Sequence, residues 1–458
     1  MATIFAPITA LTASSVIVLR VSGEKSLDCL VKLGVKQKPV PNQAIFSKIH
    51  DENHEILDHC VITYFQAPNS FTGQDIVEIS LHGSVFIASK VMEILSKVDG
   101  VRSAQAGEFS KIAFLNGKFD LVQAEAIVDL VNAQTKLQHK QALKQLEGDL
   151  GKIYDNWRFQ IIEILALIES FIDFPDEDIP DDLAQQTNQR VEILKLEIMS
   201  HLNDNKIGQK IKDGLSLAII GAPNVGKSSL LNFLAKSEVA IVSDIEGTTR
   251  DVIDINLDIA GVAVKISDTA GIRASKDVIE QEGIKRAVKR AKEADLIMVI
   301  SDLSQNSNEV DGYIDSQISD IVNSNEKSII KIANKSDLKI SNSSIFELHS
   351  GQNKNIENEF DLEISLKNQQ NLDLLIEKLE DEVKKLIPDL NEALITKQRY
   401  RDSLNQALSA LQDFNLDKNI ELAGEDLRIA AHEIGRITGK IEVDNILDVI
   451  FSKFCIGK

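Results

Sequence analysis

The chain has 458 residues, of which 43% are apolar, and this is enough for about three domains with buried cores. Its formal charge of −20, from 50 basic and 70 acidic residues, disfavours tight RNA binding by the chain alone, because cations that meet phosphates supply most of that affinity. No stretch is apolar enough to span a membrane, and residues 1–20 lack a basic start and a cleavage site, so we expect a cytoplasmic protein. The three cysteines have no paired spacing, so we expect reduced thiols.

The first 118 residues combine strand-like and helical patterns. Residues 16–21, 61–65 and 75–79 have the pattern of strands, and residues 85–98 have helical periodicity. Residues 1–118 are therefore predicted to form an α+β domain.

Helical periodicity dominates the next segment and the end of the chain. Apolar side chains recur at steps of three and four over residues 143–172, which predicts one long amphipathic helix. Two prolines and an acidic cluster interrupt it at residues 174–180, which we interpret as a loop that caps the next helix rather than as a metal site. The helical pattern resumes at residues 191–202 and again from residue 372. We therefore expect a discontinuous helical domain made of residues 119–213 and 380–458. Residues 214–379 are expected to form a separate domain inserted between these two parts.

The inserted domain contains three motifs in the order that a guanine-nucleotide site requires. Residues 221–228 (Gly-Ala-Pro-Asn-Val-Gly-Lys-Ser) lie between a strand-like run and a helical one, which is the context of a phosphate-binding loop, or P-loop. Asp-Thr-Ala-Gly at residues 268–271 and Asn-Lys-Ser-Asp at residues 334–337 follow. One motif alone is a weak signal, but the three together predict GTP binding and hydrolysis. The expected nucleotide contacts in these motifs are Asn224, Val225, Gly226, Lys227, Ser228, Ser229, Asp268, Thr269, Ala270, Gly271, Asn334, Lys335 and Asp337.

Each motif contributes a different chemical group. Backbone N–H groups of the P-loop surround the phosphates, Lys227 adds positive charge, and the Ser228 hydroxyl ligates Mg²⁺. Asp268 can hold the metal through a water molecule, while the Gly271 amide can sense the γ-phosphate. Asp337 can accept hydrogen bonds from the N1–H and the exocyclic amine of guanine, which adenine does not offer.

The pattern around the motifs predicts an open sheet. Alternating apolar residues at 253–259 and 262–266 predict a hairpin that leads to the second motif. Apolar runs at residues 296–300 and 329–333 predict buried parallel strands, the second of which delivers the third motif at its carboxyl end, where ligands bind open α/β sheets. We therefore expect a doubly wound α/β domain.

Hydrolysis poses a chemical problem in this sequence. Ile272 follows the second motif, where many GTPases have a glutamine that orients the attacking water, and a cation is often needed for the charge that develops on the phosphates. Asn224 and residues 243–251 together suggest an oxygen cage for a large monovalent cation such as K⁺. The alternative is that Asn224 only stabilises the P-loop.

Several motifs together resemble one family. Asn-x-Gly-Lys-Ser ending at Ser228, Gly-Thr-Thr-Arg-Asp at residues 247–251, Asp-Thr-Ala-Gly-Ile-Arg at residues 268–273 and Cys-Ile-Gly-Lys at residues 455–458 are similar to motifs of the MnmE (TrmE) family of tRNA modification GTPases. The resemblance covers essentially the whole chain, because it includes amino-terminal motifs at residues 67–73, 107–109, 113–118 and 123–126.

For the inserted domain, the resemblance implies K⁺-dependent dimerisation. It implies that the K⁺ ligands are Asn224, Ser243, Ile245 and Thr248, and that Ser228 and Thr249 ligate Mg²⁺. Glu280 would orient or activate the water. The remaining nucleotide contacts expected in this segment are Asp244, Glu246 and Gly247.

The resemblance also implies one-carbon chemistry at the wobble uridine of tRNA. Glu78 could contact the pterin edge of a folate, and Arg20 and Lys118 could supply charge for its glutamate tail; the family pattern carries these three and Lys458 over as contacts of 5-formyltetrahydrofolate. Cys455 is expected beside this pocket as a reactive thiol or a ligand-positioning group. The implied partners are a second copy joined through the amino-terminal domain, the flavin-containing protein MnmG and tRNA, with no membrane.

The sequence departs from the family pattern in places, and other functions stay open. Residues 8–13 lack the expected glycines, Leu81 replaces a small or polar residue, and residues 365–367 read Ser-Leu-Lys instead of Ser-Ala-Lys, so that base specificity depends on Asp337. One alternative is a ribosome-assembly GTPase similar to Era-like proteins, although residues 380–458 show helices rather than a basic RNA-binding module. Another is a folate-dependent transferase that GTP only regulates.

Overall fold

The structure is a computed structural model of the chain. It describes residues 2–173, 181–222, 224–241, 253–268, 289–303, 327–338, 360–388, 392–416 and 419–441, together with residues 447, 450–452, 454, 455 and 457. These residues form two compact units: Met1–Val131, Leu143–Ser200 and Arg399–Lys458 make unit 1, and Asn132–Ala142 and His201–Gln398 make unit 2.

The strands and helices are numbered in chain order within the described residues. The strands are β1 Thr3–Pro7, β2 Val16–Ser22, β3 Ala44–His50, β4 Ile56–Phe65, β5 Ile76–His82, β6 Val101–Ser103, β7 Leu215–Ile220, β8 Ile253–Ile259, β9 Val262–Asp268, β10 Leu296–Asp302, β11 Ser328–Asn334 and β12 Leu362–Glu363. The helices are α1 Ser26–Lys32, α2 Val85–Ser96, α3 Glu108–Leu115, α4 Leu121–Val131, α5 Lys136–Leu146, α6 Asp149–Asp173, α7 Asp181–Leu202, α8 Ile207–Asp213, α9 Lys227–Lys236, α10 Leu372–Leu386, α11 Gln398–Asp413 and α12 Ile420–Thr438. Ser336–Leu338 forms a 3₁₀ turn.

The amino-terminal part of unit 1 is an α+β sheet structure, as predicted. Within the described residues its strands follow the order β3-β4-β5-β2-β1-β6, with β1 and β6 parallel and the other pairs antiparallel. Side chains alternate between the two faces, so Val77, Ile79 and Leu81 of β5 enter the core that α1 and α2 cover, while Glu78 points to the other face. Leu81 is buried, which explains why an apolar side chain is tolerated there.

The prediction of one helix over residues 143–172 was wrong in one respect. Residues 147 and 148 separate α5 from α6, and Gly148 has a φ of 84°, a left-handed conformation that ends the helical hydrogen-bond pattern. The apolar pattern continues across the break because Leu150 and Ile161 remain buried. Periodicity therefore identified the buried face but not the turn.

The helices of unit 1 pack closely where small residues allow it. On α12, Gly424 lies against Ile168 and Ile172 of α6. The start of α12 is set by Asn419, whose side-chain oxygen accepts hydrogen bonds from the amides of residues 421 and 422 at 2.8 and 3.1 Å. None of the helices described here combines the length and apolar composition needed to cross a bilayer.

Unit 2 has the predicted open α/β sheet. Its described strands follow the order β12-β11-β10-β7-β9-β8; β8 is antiparallel to β9, and the other pairs are parallel. Strand β10 is buried on both faces, with Leu296, Met298 and Ile300 in one core and Ile297 and Val299 in the other. This matches the continuous apolar run by which the strand was predicted.

Helix α10 belongs to unit 2 over its full length. Leu375, Leu379 and Val383 follow helical spacing and pack into the same core as β10. The helix continues to Leu386 without a break at residue 379, where the sequence suggested a boundary. The domain boundaries proposed from the sequence remain predictions. Helix α10 packs in the core of unit 2 beyond residue 379, up to Val383.

A polar cluster ties α4 to the start of α11 in unit 1. Glu125, which is 8% exposed, accepts hydrogen bonds from Arg399 Nη2 at 2.8 Å and from the Tyr400 hydroxyl. Arg399 also donates to the carbonyl of Ile437 near the end of α12 at 3.0 Å. Burial, together with the nearby Glu125 carboxylate, raises the pKa of Tyr400 well above its usual value, so its hydroxyl stays protonated as a donor.

We predict that Arg399→Ala destabilises unit 1 by about 3 kcal/mol, because it leaves the buried Glu125 carboxylate without its cation. Urea unfolding can be followed by the fluorescence of Trp157, the single tryptophan, which packs on Tyr154 with ring centroids 5.8 Å apart. Arg428→Ala is the matched control.

Arg428 pairs with Glu169 at 3.0 Å on the surface, with the two side chains 46% and 45% exposed, so its loss is expected to cost less than about 1 kcal/mol. Equal shifts of the unfolding midpoint in the two variants would contradict a structural role for the Glu125 cluster.

Candidate functional site

The P-loop connects β7 to α9 at the carboxyl end of the sheet. Leu215 and Leu217 of β7 face one core and Ile220 faces the other, and the chain then turns into α9. Gly226 has a φ of 110°, and a Cβ added there would lie 2.4 Å from Asn334 Nδ2. A larger residue here would displace the Asn334 amide and adopt a backbone conformation that favours glycine. Asn224 is exposed and has a φ of 64°, a conformation that asparagine tolerates well.

Polar groups gather at the amino end of α9. Lys227 Nζ donates to the carbonyls of Gly221 and Ala222, each at 2.7 Å. Ser228 and Ser229 lie in the first turn of α9, and both are exposed. Backbone N–H groups at a helix amino terminus favour anions, and the adjacent lysine and hydroxyls complete a site suited to phosphate.

Asn334, the first residue of the third motif, connects the P-loop to the loop at residues 365–368. It is 3% exposed and ends β11. Its Nδ2 donates to the carbonyl of Val225 at 2.8 Å, and its Oδ1 accepts from the amide of Leu366 at 3.3 Å. One buried amide therefore uses both of its polar ends to hold two loops together.

The second of these loops orients Asp337. Ser365, which is fully buried, donates from its hydroxyl to Asp337 Oδ1 at 2.6 Å and accepts from the amide of Asn368 at 3.2 Å. The segment 365–367 departs from the family pattern only at Leu366. It contributes the Ser365 hydroxyl and the Leu366 backbone amide, and neither contact uses the Leu366 side chain. Asp337 is left in a defined orientation that suits recognition of a base edge.

Sequence reasoning missed Asp302, which holds Lys335. Asp302 ends β10 with its side chain 1% exposed, and its Oδ2 accepts from Lys335 Nζ at 2.5 Å. Asp302 and Asn334 are paired across the parallel ladder. The available signal was its position, because a carboxylate at the carboxyl end of a buried parallel strand lies at the edge where ligands bind.

Most of the residues expected to respond to the γ-phosphate lie outside the described residues. Asp268 is the last residue of β9, and its backbone pairs with Ile253 of β8, so the predicted hairpin does lead to the second motif. The expected site residues outside the described part are Ser243, Asp244, Ile245, Glu246, Gly247, Thr248, Thr249, Thr269, Ala270, Gly271, Glu280 and Lys458. The acidic cluster at residues 174–180 also lies outside it. Elsewhere, no group of three or more His, Cys, Asp or Glu side chains in the described part is arranged to hold a metal ion.

A second polar site lies on the amino-terminal sheet of unit 1. Arg20 and Glu78 face each other across β2 and β5, and Arg20 Nε and Nη2 donate to Glu78 Oε1 at 3.0 and 2.8 Å. The guanidinium carbon lies 5.0 Å from the ring centroid of Phe71 and 5.6 Å from that of Phe109. The two rings shield the ion pair, and Glu78 remains 23% exposed.

The loop between β4 and β5 brings Lys118 to the same region. Lys118 Nζ donates to the carbonyl of Pro68 at 2.9 Å, and Asn116 Nδ2 donates to the carbonyl of Thr72 at 2.6 Å. Since Phe71 lies in this loop and over Arg20, the loop connects two of the predicted folate contacts that are far apart in sequence, residues 20 and 118.

The carboxyl-terminal tail also returns to this sheet. A Cβ added to Gly457, whose φ is 101°, would lie 2.0 Å from the carbonyl oxygen of Pro7, the last residue of β1. The neighbouring Phe454 packs in a cluster with Leu121. Cys455 is exposed, so the tail presents its thiol to solvent close to the strand next to Arg20.

The other two cysteines have a different environment. Cys29 and Cys60 are buried in the sheet core, and burial raises the pKa of each thiol to about 12. Both stay protonated at neutral pH and pack as small apolar side chains. Cys29, Cys60 and Cys455 are all free thiols in the structure.

Two family models match the chain and together span most of it. The model described as "GTP-binding protein TrmE N-terminus" matches residues 3–118, and the model described as "MnmE helical domain" matches residues 121–455. The second match includes both halves of the helical region and unit 2 between them.

Curated relatives match over the full length. The protein named tRNA modification GTPase MnmE of Rickettsia bellii (strain OSU 85-389) is 46% identical over 461 residues, and that of Rickettsia typhi is 45% identical, each with 100% of both chains covered. Among solved structures, Aquifex aeolicus Era bound to GDP and AlF4⁻ is 26% identical and covers 43% of this chain and 66% of its own, with a TM-score of 0.27, too low to support an argument. Identity at this level over the whole length shows that the chain belongs to the MnmE (TrmE) family of tRNA modification GTPases.

Proposed function

We propose that this GTPase couples GTP hydrolysis to the addition of a carboxymethylaminomethyl or aminomethyl group at wobble uridine 34 of tRNA, with a one-carbon unit derived from 5-formyltetrahydrofolate. The observation that carries the nucleotide part is the double hydrogen bond of Asn334, which joins the P-loop to the loop that orients Asp337. Phosphate recognition and base recognition then belong to one rigid site.

The described residues fit a nucleotide with Mg²⁺. Lys227 Nζ already lies beside two P-loop carbonyls, where its charge can also meet phosphate oxygens. The exposed Ser228 offers a hard oxygen ligand in the first turn of α9, beside Lys227. Thr249 is the proposed second protein ligand. When bound, the ion offsets the charge of the phosphates.

Hydrolysis requires two further groups that the described residues do not supply. We assign the orientation of the attacking water to Glu280, because Ile272 has no polar group, and the missing cation to K⁺ held by Asn224, Ser243, Ile245 and Thr248. The exposed side-chain amide of Asn224, on a left-handed residue of the P-loop, suits a ligand for a large cation.

The second site fits a folate. The Glu78 carboxylate suits the N–H donors of a pterin edge, and the rings of Phe71 and Phe109 keep water from the Arg20 guanidinium beside it. Arg20 and Lys118 are proposed to supply charge for the glutamate tail, and Lys458 is the fourth proposed contact of the folate. The folate supplies the one-carbon unit; the chain binds and orients it, and Cys455 is the exposed thiol on the tail nearby.

The proposed assembly is a homodimer joined through the amino-terminal domains, together with MnmG and tRNA. The charge of −20 supports an assembly in which a partner makes much of the contact with tRNA, because a chain this acidic gains little affinity from the tRNA phosphates by itself. A flavin-containing partner would supply both the redox chemistry and much of the contact with tRNA.

We predict that Asp337→Asn converts the base preference from guanine to xanthine. Asparagine offers one acceptor and one donor, and xanthine has a carbonyl where guanine has its amine, so the pairing is restored only with xanthosine triphosphate. GTP affinity should fall about a hundredfold or more, since each hydrogen bond to a charged group contributes about 1.5–3 kcal/mol. Titration with both fluorescent nucleotides measures this, with Asp213→Asn, an exposed carboxylate, as the control. An unchanged preference for GTP would exclude Asp337 from base recognition.

We predict that Glu280→Ala keeps GTP affinity within about twofold but nearly abolishes turnover, because the group acts only on the attacking water.

In the unmodified protein, turnover should be faster in K⁺ than in Na⁺, and Asn224→Ala should remove that difference. Steady-state phosphate release in the two salts is the measurement. Equal rates in K⁺ and Na⁺ would rule out the cation site.

We predict that Glu78→Gln weakens binding of 5-formyltetrahydrofolate about tenfold or more, since an amide accepts fewer hydrogen bonds from the pterin edge than a carboxylate. Calorimetric titration gives the affinity, and Glu55→Gln, an exposed residue of the same sheet region, is the control. GTP turnover of both variants should stay at the level of the unmodified protein. Wild-type folate affinity in Glu78→Gln would remove the pocket from the proposal.

A further inference from the structure

The two lysines of the nucleotide site have different surroundings. Lys227 Nζ contacts backbone carbonyls of the P-loop, whereas Lys335 Nζ contacts the Asp302 carboxylate. Lys335 is 32% exposed and Asp302 is 1% exposed at the side chain. The charge of Lys335 is therefore directed away from solvent toward a neighbouring strand.

The backbone of Lys335 is also constrained. Its φ of 62° is unusual for a residue other than glycine, and it immediately follows Asn334, which is held by hydrogen bonds to the P-loop and to Leu366. With the backbone held at one end and the ammonium held by Asp302 at the other, the four-carbon stem of Lys335 spans the carboxyl ends of β10 and β11.

A lysine stem held in this way forms a small apolar surface. Long charged side chains cover apolar groups with their methylenes while the charged end keeps a polar partner. The stem lies two residues from Asp337, which we propose binds the base edge, so the planar face of the same base is the group that it can cover.

We infer that Asp302 is a positioning residue for guanine-nucleotide binding, acting through Lys335. It anchors the ammonium so that the stem is ordered before the base arrives, and less side-chain entropy is then lost on binding. This inference rests on the proposed base site at Asp337, and it adds a residue that no motif in the sequence identifies.

The central experiment is a double-mutant cycle on nucleotide affinity in the full-length protein. Asp302→Asn should weaken binding of GDP and GTP alike, by about tenfold, with the kcat at saturating GTP unchanged, because the stem contacts the base equally in ground and transition states. Lys335→Met keeps the stem length and removes the charge. If Asp302 acts through Lys335, Asp302→Asn should have no further effect in the Lys335→Met background.

One readout and one control variant separate this role from a structural one. The ratio of GTP to ITP affinity should stay at the wild-type value in Asp302→Asn, because ITP lacks only the amine that Asp337 recognises. Asp295→Asn is the matched control: Asp295 precedes the other end of β10, is partly buried, and accepts from the Ser216 amide at 2.9 Å. This control should keep wild-type affinity for nucleotide.

Three results would overturn the inference. The first is wild-type affinity in Asp302→Asn, and the second is the same tenfold loss from Asp302→Asn whether or not the chain also carries Lys335→Met. The third is a reduced GTP-to-ITP ratio, which would mean that the Asp337 loop itself had moved. If instead Asp337→Asn fails to change base preference while the cycle still shows coupling, the base site is misassigned but the Asp302 and Lys335 pair remains a nucleotide contact.

Discussion

The nucleotide site depends on one buried side chain, the amide of Asn334. Its two polar ends satisfy a carbonyl of the P-loop and an amide of the loop that orients Asp337, and the Asn334 side chain is itself removed from water. A residue that lacked either end would leave a buried polar group without a hydrogen bond, which costs about 1–3 kcal/mol. Gly226 is part of the same constraint, because any side chain there would collide with the Asn334 amide. Asn334 thus explains why residue 226 is a glycine, and the two hydrogen bonds explain why residue 334 is an asparagine.

The amino-terminal site is built on a different principle. The nucleotide site uses the carboxyl ends of parallel strands, whereas Arg20 and Glu78 lie within antiparallel strands, on the sheet face opposite the core that α1 and α2 cover. An ion pair at such a place is normally screened by water and contributes little. Here the rings of Phe71 and Phe109 cover it, and the loop that carries Phe71 is in turn held by Lys118 and Asn116. The site is therefore a sheet face that a loop covers, while the carboxyl-terminal tail reaches the end of the neighbouring strand β1 at Pro7.

Much of the fold follows from local patterns. Strands β7 to β11 of unit 2, the hairpin before Asp268 and the P-loop were predicted, because alternation, apolar runs and glycine turns are properties of neighbouring residues. The two-residue strand β12 was not predicted, because it is too short to carry such a pattern. The break at Gly148 was missed because the buried stripe continues through it. The helical pattern from residue 372 was predicted, but its packing was not: Val383 of α10 lies in the same core as β10, a contact between residues far apart in sequence that periodicity does not report.

The same distinction applies to the two sites: continuous motifs could be predicted from the sequence, and the partners of their side chains could not. The order and spacing of the three motifs were sufficient to identify a guanine-nucleotide site, since each motif is continuous and carries its own reactive groups. The partners of those groups came only with the folded chain: Asp302 for Lys335, Ser365 for Asp337, and the two rings for Arg20. A hydrogen bond or ring contact between residues far apart in the chain leaves no periodic trace, because it depends on where the sheet and its loops bring the two residues together.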